Sequence, residues 1–332
     1  MMTTPIQTTP AEPTAAALGG DSLAAQARRL MLATRPAFAP ASLASVLIGS
    51  AWGYRIAGRF SWGLALLALL ATLCVHLAAN VLNDVSDDRS GADRGNEGRI
   101  FPYTGGSRFI QNGVLSPRVM TLWGVALLAV AAVLGLALLE LRGPGVLAFG
   151  LVGVTLGLAY SLPRIELAAR GLGEATIAVA FGVVPVAGAA WLQSGRLGAA
   201  SILISVPVGL WVAAILLMNE VPDRDADARA GKATLVVRLG IQATRRVYLA
   251  VQGGACAALI LAAILGLLPA WTGFACLLLL PAAWRAAGAI SAPPEPAALR
   301  RGIRATLRVH LAGSALLLAS VLGSAIAYWR VS

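Results

Sequence analysis

Long apolar stretches recur along most of this 332-residue chain. About 20 consecutive apolar residues are enough to cross a lipid bilayer as a helix. Only 12% of the residues are charged, about half the share that is typical of soluble domains. The sequence therefore predicts an all-α polytopic membrane protein, with about nine transmembrane helices bundled around a central cavity that has a polar cap on its cytoplasmic side. The nine stretches cover approximately 37–57, 61–83, 119–140, 143–161, 172–192, 197–219, 247–268, 270–290 and 308–328.

The basic residues are distributed unevenly between the two sides of this bundle. There are 26 Lys and Arg against 15 Asp and Glu, a formal net charge of +11. With the N-terminus in the cytoplasm, 21 of the 26 basic residues fall on the cytoplasmic side. Positive charge in short loops marks that side, so the basic character indicates topology and not nucleic-acid binding. We expect a multi-pass protein of the inner (plasma) membrane, with its N-terminus and its active-site loops cytoplasmic.

The first residues of the chain differ in composition from the rest. Residues 1–26 are rich in Ala, Thr and Pro and lack the charged start, apolar core and cleavage site of a signal peptide. We expect a disordered tail there and one transmembrane domain over residues 27–332. The cysteines Cys74, Cys256 and Cys276 lie in apolar stretches without metal-ligand spacing, which favours small buried side chains.

Nine of the 15 acidic residues fall in two short segments. One segment directly follows the second apolar stretch, and the other follows the sixth. If the helices continue into them, each segment places an Asn and two Asp side chains on one helix face, three or four residues apart. These residues are Asn80, Asp84 and Asp87 in the first segment and Asn219, Asp223 and Asp227 in the second.

Two acidic faces on the same side of a membrane indicate a site where bound cations connect the carboxylates to an anionic ligand. Mg2+ prefers oxygen ligands and binds one or two carboxylates together with phosphate oxygens. A pair of solvated helix ends is the alternative, and the matching position of the Asn in both segments argues against it. Lys232 is a candidate for binding phosphate, whereas Arg99 and Arg108 could either bind phosphate or only set the topology. Tyr160 lies in a loop that could cap the same cavity, and His76 is either functional or a packing residue.

These motifs resemble those of the UbiA superfamily of intramembrane prenyltransferases, over nearly all of residues 33–330. The resemblance is centred on residues 80–93 and 219–235. Within the superfamily the chain is most similar to the 1,4-dihydroxy-2-naphthoate polyprenyltransferase branch of menaquinone synthesis, because Asp93 follows Asp87 by six residues. Similar runs lie at 33–36, 104–117 and 231–240.

The resemblance implies transfer of a polyprenyl group from an all-trans polyprenyl diphosphate to an aromatic acceptor, after Mg2+-assisted ionisation of the diphosphate. The acceptor that it implies is 1,4-dihydroxy-2-naphthoate, and the product demethylmenaquinone. The implied metal ligands are Asp84, Asp87, Asp93, Asp223 and Asp227. The implied diphosphate-binding residues are Asn80, Asn219 and Lys232, with Arg99 and Arg108 as further candidates. Tyr160 is expected near the developing allylic cation and joins Asp84, Asp87, Asp223 and Asp227 as a catalytic candidate.

The chain departs from the family pattern at three positions. Glu220 stands where many relatives have a second Asn, and Arg164 replaces the second Pro of the motif that contains Tyr160. Pro222 disfavours helix at Val221, so the second acidic face could bend there. These departures leave open other acceptors (4-hydroxybenzoate, homogentisate or a tetrapyrrole) and a membrane terpene cyclase. A transporter is less favoured, because the interiors of the apolar stretches carry almost no ionisable residues.

Overall fold

The computed structural model describes residues 11–331, with side chains described for residues 11–326. Within this range the chain is helical and contains no β-strand, which confirms the predicted all-α architecture. The helices are α1 (Leu23–Ala33), α2 (Ala39–Ala57), α3 (Trp62–Ser90), α4 (Pro117–Arg142), α5 (Gly145–Ser161), α6 (Gly173–Ile177), α7 (Val184–Ser194), α8 (Ala199–Arg229), α9 (Leu235–Ile264), α10 (Trp271–Ala275), α11 (Leu280–Ala287) and α12 (Pro296–Val331). A π-helical segment, Ala178–Val183, joins α6 to α7.

Six helices of the described chain are long and apolar enough to cross a membrane. They are α3, α4, the continuous segment Gly173–Ser194, α8, α9 and α12. A seventh span forms if α1 and α2, which meet at an angle of 51°, are taken as one broken span. Helix α5 and the segment Trp271–Ala287 are apolar but shorter than 18 residues. All nine predicted stretches are therefore helical, whereas the count of nine full spans is not confirmed, because two of the helices are short.

Part of the expected N-terminal tail makes defined contacts. Residues 1–10 lie outside the described residues. The side chain of Ser22 accepts a hydrogen bond from the Ala25 backbone N–H and begins α1. Further upstream, the Glu12 carboxylate forms an ion pair with Arg99 at 2.7 Å, and Leu18 packs against a buried cluster. The ordered chain therefore begins before the expected domain start at residue 27.

Helices α3 and α8 continue beyond their apolar stretches into the two acidic segments. Helix α3 runs to Ser90 and ends at Gly91, whose positive φ of 81° stops the helix. Helix α8 runs through Pro222 to Arg229 without a break. Residues 220–222 are buried, and tertiary packing of this kind stabilises a helix across a proline. Both predicted acidic faces are therefore helical.

Helices α2 and α7 pack closely through two glycines. A Cβ added at Gly49 would overlap the carbonyl oxygen of Val186, and one added at Gly53 would lie 2.5 Å from the carbonyl oxygen of Ala190. Small residues four apart allow transmembrane helices to approach backbone to backbone. This contact places α2 beside the segment that precedes α7, where one wall of the cavity lies.

We expect Gly53→Ala to lower the free energy of unfolding by about 1–3 kcal/mol, because the added methyl group would push α2 away from α7. Gly150→Ala on α5 is the matched control, since a Cβ at Gly150 meets nothing within 4 Å. The control should be neutral or slightly stabilising, because Ala is a better helix former than Gly. Thermal unfolding in detergent measures both, and equal transition temperatures would contradict the prediction.

Candidate active site

A cavity of about 220 Å3 lies among α2, α3, α5, α6 and α8. Most of its polar lining comes from the last turns of α3 and α8 and from the loops that follow them, whereas the start of α2, α5, α6, the π-helical segment and an earlier part of α8 supply apolar side chains. The polar lining includes Asn80, Asp87, Asp93, Asn219, Asp223, Asp227 and Lys232. The apolar lining includes Phe38, Leu156, Ile177, Phe181, Val212, Ile215 and Leu216. The cavity is therefore amphipathic along its length.

Helix α3 places the first acidic motif beside the cavity. The Asp84 carboxylate accepts a hydrogen bond from the Ser107 backbone N–H at 2.9 Å, and its other oxygen, Oδ1, is buried without a partner. Asp87 lines the cavity and accepts a hydrogen bond from the Asn83 amide at 3.0 Å. The Asn80 amide donates to the carbonyl oxygen of Thr34 at 3.0 Å. The motif is thus held in place but keeps an unused carboxylate oxygen.

Asp93 lies in the turn after α3 and faces the same point as Asp84. A Cβ added at Gly106 would overlap Asp93 Oδ2 and would lie 3.2 Å from Asp84 Oδ1. Asp93 Oδ2 is buried and has no partner. Burial raises the pKa of Asp93 to about 8, and the negative charges of Asp87, Asp84 and Asp223 act in the same direction. The carboxylates of the first motif therefore crowd around one glycine.

Helix α8 supplies the second motif from the facing side. Asp223 accepts hydrogen bonds from the Asn96 amide at 2.6 Å and from the Gly105 backbone N–H at 3.2 Å. Asn219 lines the cavity, and its Oδ1 is buried without a partner. Asp227 also lines the cavity. The two motifs, far apart in sequence, meet here as their helical faces predicted.

Lys232 connects the two motifs. Its ammonium group donates to Asp87 and lies 3.9 Å from Asp227. Burial by itself lowers the Lys232 pKa, but the two neighbouring carboxylates outweigh burial and hold it above its usual value. Lys232 therefore lies between the two acidic motifs, and its role in binding phosphate stays a prediction.

Arg35 is a second basic residue of the cavity lining, in addition to the predicted site residues. Its backbone has a positive φ of 56°, its guanidinium donates to the carbonyl oxygen of Tyr103 at 2.7 Å, and its Nε is buried without a partner. The sequence feature that could have indicated this residue is its position directly before Pro36, at the start of the first apolar stretch.

Arg99 and Arg108 do not appear among the residues that line the cavity. Arg99 forms the ion pair with Glu12, and Arg108 lies 3.8 Å from the same carboxylate and donates to the carbonyl oxygen of Asp93. Glu12 also accepts a hydrogen bond from the Asn112 amide at 3.2 Å. Both arginines thus hold the loop of residues 99–112 against the N-terminal segment.

The loop after α5 caps the cavity, as the sequence indicated. Tyr160 lines the cavity, and the Ser161 hydroxyl donates to the Asn83 side-chain oxygen at 2.6 Å. Because Asn83 donates in turn to Asp87, the end of α5 is tied to the first acidic motif. His76, whose role the sequence left open, lies on the cavity wall one helical turn before Asn80.

Four of the five predicted metal ligands line the cavity, whereas Asp84 is buried and is not part of the lining. Within the described part of the chain, no three Asp, Glu, His or Cys side chains are already grouped around one point as metal ligands. The buried oxygens Asp84 Oδ1 and Asp93 Oδ2 nevertheless lack any partner. A buried, unpaired carboxylate oxygen is costly, so this arrangement requires ligands from outside the chain.

Relatives of known activity cover most of the chain. It is 31% identical over 274 residues to the 1,4-dihydroxy-2-naphthoate octaprenyltransferase of Haemophilus influenzae, which covers 80% of this chain and 86% of that protein. It is 29% identical over 301 residues to the protein of the same name from Escherichia coli, covering 89% and 94% of the two chains.

Solved structures share the fold. A UbiA homolog from Aeropyrum pernix superposes with a TM-score of 0.63 at 19% identity, covering 86% of this chain and 97% of that one. A UbiA homolog from Archaeoglobus fulgidus bound to DMAPP and Mg2+ gives a TM-score of 0.61 at 17% identity, covering 87% and 99%. Residues 42–302 match the profile of the UbiA prenyltransferase family. With this match and the relatives above, the resemblance found in the motifs is confirmed, and the chain belongs to the UbiA prenyltransferase family.

Proposed function

We propose that this protein transfers a polyprenyl group from an all-trans polyprenyl diphosphate to 1,4-dihydroxy-2-naphthoate, releasing diphosphate and CO2 and giving demethylmenaquinol, the hydroquinone form of demethylmenaquinone. The observation that carries the proposal is the amphipathic cavity, with charged groups at one end and apolar helix faces beyond them. A polyprenyl diphosphate has the same division into an anionic head and a hydrocarbon tail. The names of the relatives from Haemophilus influenzae and Escherichia coli support the choice of acceptor.

Mg2+ fits the ligands that this cavity offers. All the candidate ligands are carboxylate oxygens, which this cation prefers, and two of them are buried without a partner. We assign metal binding to Asp84, Asp87, Asp93, Asp223 and Asp227. When bound, Mg2+ supplies positive charge that offsets the negative charge of the diphosphate. The Archaeoglobus fulgidus homolog was solved with both DMAPP and Mg2+, which supports this assignment.

The chain itself adds positive charge and excludes water. Lys232 and Arg35 face the cavity and stabilise the charge that builds on the departing diphosphate, because preorganised cations in a water-poor site act strongly. Asn80 and Asn219 are placed to orient the same group. The ring of Tyr160 and the apolar walls shield the allylic cation from water until the aromatic acceptor attacks.

Loss of either acidic motif should abolish transfer. We expect Asp84→Asn and Asp223→Asn each to lower kcat by at least about 10²-fold, because each removes charge that a bound cation requires. Asp225→Asn is the matched control, since Asp225 lies on the same helix but is exposed and pairs with Arg224 at 3.5 Å. The assay uses membranes that contain the protein, Mg2+, labelled polyprenyl diphosphate and either 1,4-dihydroxy-2-naphthoate or 4-hydroxybenzoate.

The outcomes of this assay separate the alternatives. Mg2+-dependent prenylated naphthohydroquinone, detected as such or as the quinone that it forms on oxidation in air, supports the proposal if it is lost in both variants and kept in the control. Diphosphate release without transfer to either acceptor would point to another acceptor or to a terpene cyclase. A wild-type protein that leaves the polyprenyl diphosphate intact would contradict the proposed function.

The absence of a side chain at Gly106 should be essential for activity, because it leaves room for the carboxylates of Asp93 and Asp84. We expect Gly106→Ala to displace Asp93 and Asp84 and to reduce kcat/KM for the polyprenyl diphosphate by about 10²-fold, since small misplacements of catalytic groups are costly. Gly113→Ala is the control, because Gly113 lies in the same loop with a similar φ of 66° but nothing within 4 Å. Both variants carry the same backbone strain. Equal activity in the two variants would show that the space beside Gly106 is not required.

We further propose that the charged end of the cavity faces the cytoplasm, as the distribution of basic residues indicates. The experiment places one cysteine in a chain whose native cysteines are replaced by Ala. We expect Gly198→Cys, in the exposed connection before α8, to react with a membrane-impermeant maleimide on spheroplasts. Ser90→Cys, exposed at the end of α3, should react only after the membrane is opened. The reverse pattern would invert the topology.

A further inference from the structure

Two glutamates meet beside the cavity, and the proposed diphosphate chemistry does not use them. Glu174 lies in the first turn of α6, and Glu220 lies on α8 next to Asn219. Both side chains are only 7% exposed. Their carboxyl groups lie close enough to interact electrostatically. Glu220 lines the cavity, so the pair opens onto the space where substrates bind.

No cation neutralises this pair. Among the described residues, the ion pairs of the site join Lys232 to Asp87 and Asp227, and none of them includes Glu174 or Glu220. Two neighbouring carboxyl groups in a buried site oppose each other's ionisation, so the pair keeps at most one negative charge. The pair is therefore a hydrogen-bond acceptor with a proton-accepting capacity of its own.

The pair is fixed in place but not saturated. Glu220 lies near the Val236 backbone N–H in the first turn of α9, which favours its carboxylate form. Glu220 Oε2 and both carboxylate oxygens of Glu174 are buried and have no donor. Buried acceptors without a donor are unfavourable, so a donor from a ligand completes the site.

The surroundings of the pair favour an aromatic ligand. Tyr160 lies within electrostatic range of both carboxyl groups, and its ring lies close to Gly173, directly before Glu174. An ionised diphosphate carries several negative charges and no hydrogen to donate, and a hydrocarbon tail has no polar hydrogen, whereas the acceptor has two hydroxyl groups in addition to its single carboxylate. Of the substrates in the proposed reaction, the aromatic acceptor alone brings hydroxyl donors together with a flat apolar ring.

We propose that the Glu174–Glu220 pair binds a phenolic hydroxyl group of the aromatic acceptor and takes its proton during transfer. This inference rests on the proposed function. In the step, the allylic C–O bond breaks and its electron pair leaves with the diphosphate. The ring carbon next to the hydroxyl forms the new C–C bond to the allylic carbon. The hydroxyl proton passes to the carboxylate while the hydroxyl oxygen becomes a carbonyl, and the ring later regains aromaticity by losing a proton or CO2.

The test separates the two substrates kinetically. We expect Glu220→Gln to lower kcat/KM for 1,4-dihydroxy-2-naphthoate by about 10²-fold, the range of general-base catalysis. The KM for the polyprenyl diphosphate should stay within about 3-fold, because that substrate does not contact the pair. Glu174→Gln should cost about 10-fold, since the new amide donates to Glu220 and occupies the oxygen that the hydroxyl needs. An unchanged KM for the polyprenyl diphosphate also shows that these isosteric variants are folded.

A matched control and an altered acceptor make the test specific. Glu166→Gln, the same change in the loop between α5 and α6, should behave as wild type. The two monomethyl ethers of 1,4-dihydroxy-2-naphthoate each lack one hydroxyl donor. With the ether that removes the contacted hydroxyl, wild type and Glu220→Gln should transfer at equally reduced rates, as expected when two changes remove one interaction.

Several results would overturn the inference. One is wild-type kcat/KM for the acceptor in both Gln variants. Another is a variant whose only change is a higher KM for the polyprenyl diphosphate, which would assign the pair to diphosphate binding. The same holds for a variant that only requires more Mg2+, which would assign the pair to the cation. A wild-type protein that does not prenylate this acceptor would overturn the proposed function as well, whereas wild-type transfer with unaffected variants overturns the inference alone.

Discussion

Like charges gathered at one end of an apolar bundle are the constraint on which this structure depends. Carboxylates from α3 and α8 meet across a single cavity, and burying them together is costly unless other groups compensate. Lys232 compensates part of this charge by contacting Asp87 and Asp227. Backbone N–H groups compensate another part. The remaining buried oxygens have no partner within the chain, which is why the site is complete only with its ligands.

The loop of residues 99–112 joins the two acidic motifs. Its backbone N–H groups at Gly105 and Ser107 donate to Asp223 and Asp84, so one short segment fixes a carboxylate from each helix. The same loop is held from outside by Glu12, through Arg99 and other polar contacts. The N-terminal segment therefore contributes to the geometry of the site without lining the cavity.

The sequence predicted those parts of the structure that follow from local periodicity. Apolar stretches gave the helical bundle, and the spacing of Asp84 and Asp87 correctly indicated one helix face. Periodicity cannot show where a loop folds, so it could not indicate that Arg35 lines the cavity whereas the diphosphate candidates Arg99 and Arg108 do not. Nor can it show non-local pairs such as that of Glu220, because such contacts arise only when separate helices pack. Helix length was a further limit, since an apolar stretch of about 20 residues need not be helical throughout.

The cavity, at about 220 Å3, is small compared with the roughly 300–1,000 Å3 of typical pockets for drug-sized ligands. If the donor is a long polyprenyl diphosphate, most of its tail cannot fit inside and must emerge between helices into the lipid. The protein would then bind only the reacting end of its donor, and the far end of the tail would lie in the bilayer. Under that arrangement the protein would not select its donor by tail length. The number of prenyl units in the product would then depend on which polyprenyl diphosphates the surrounding membrane supplies.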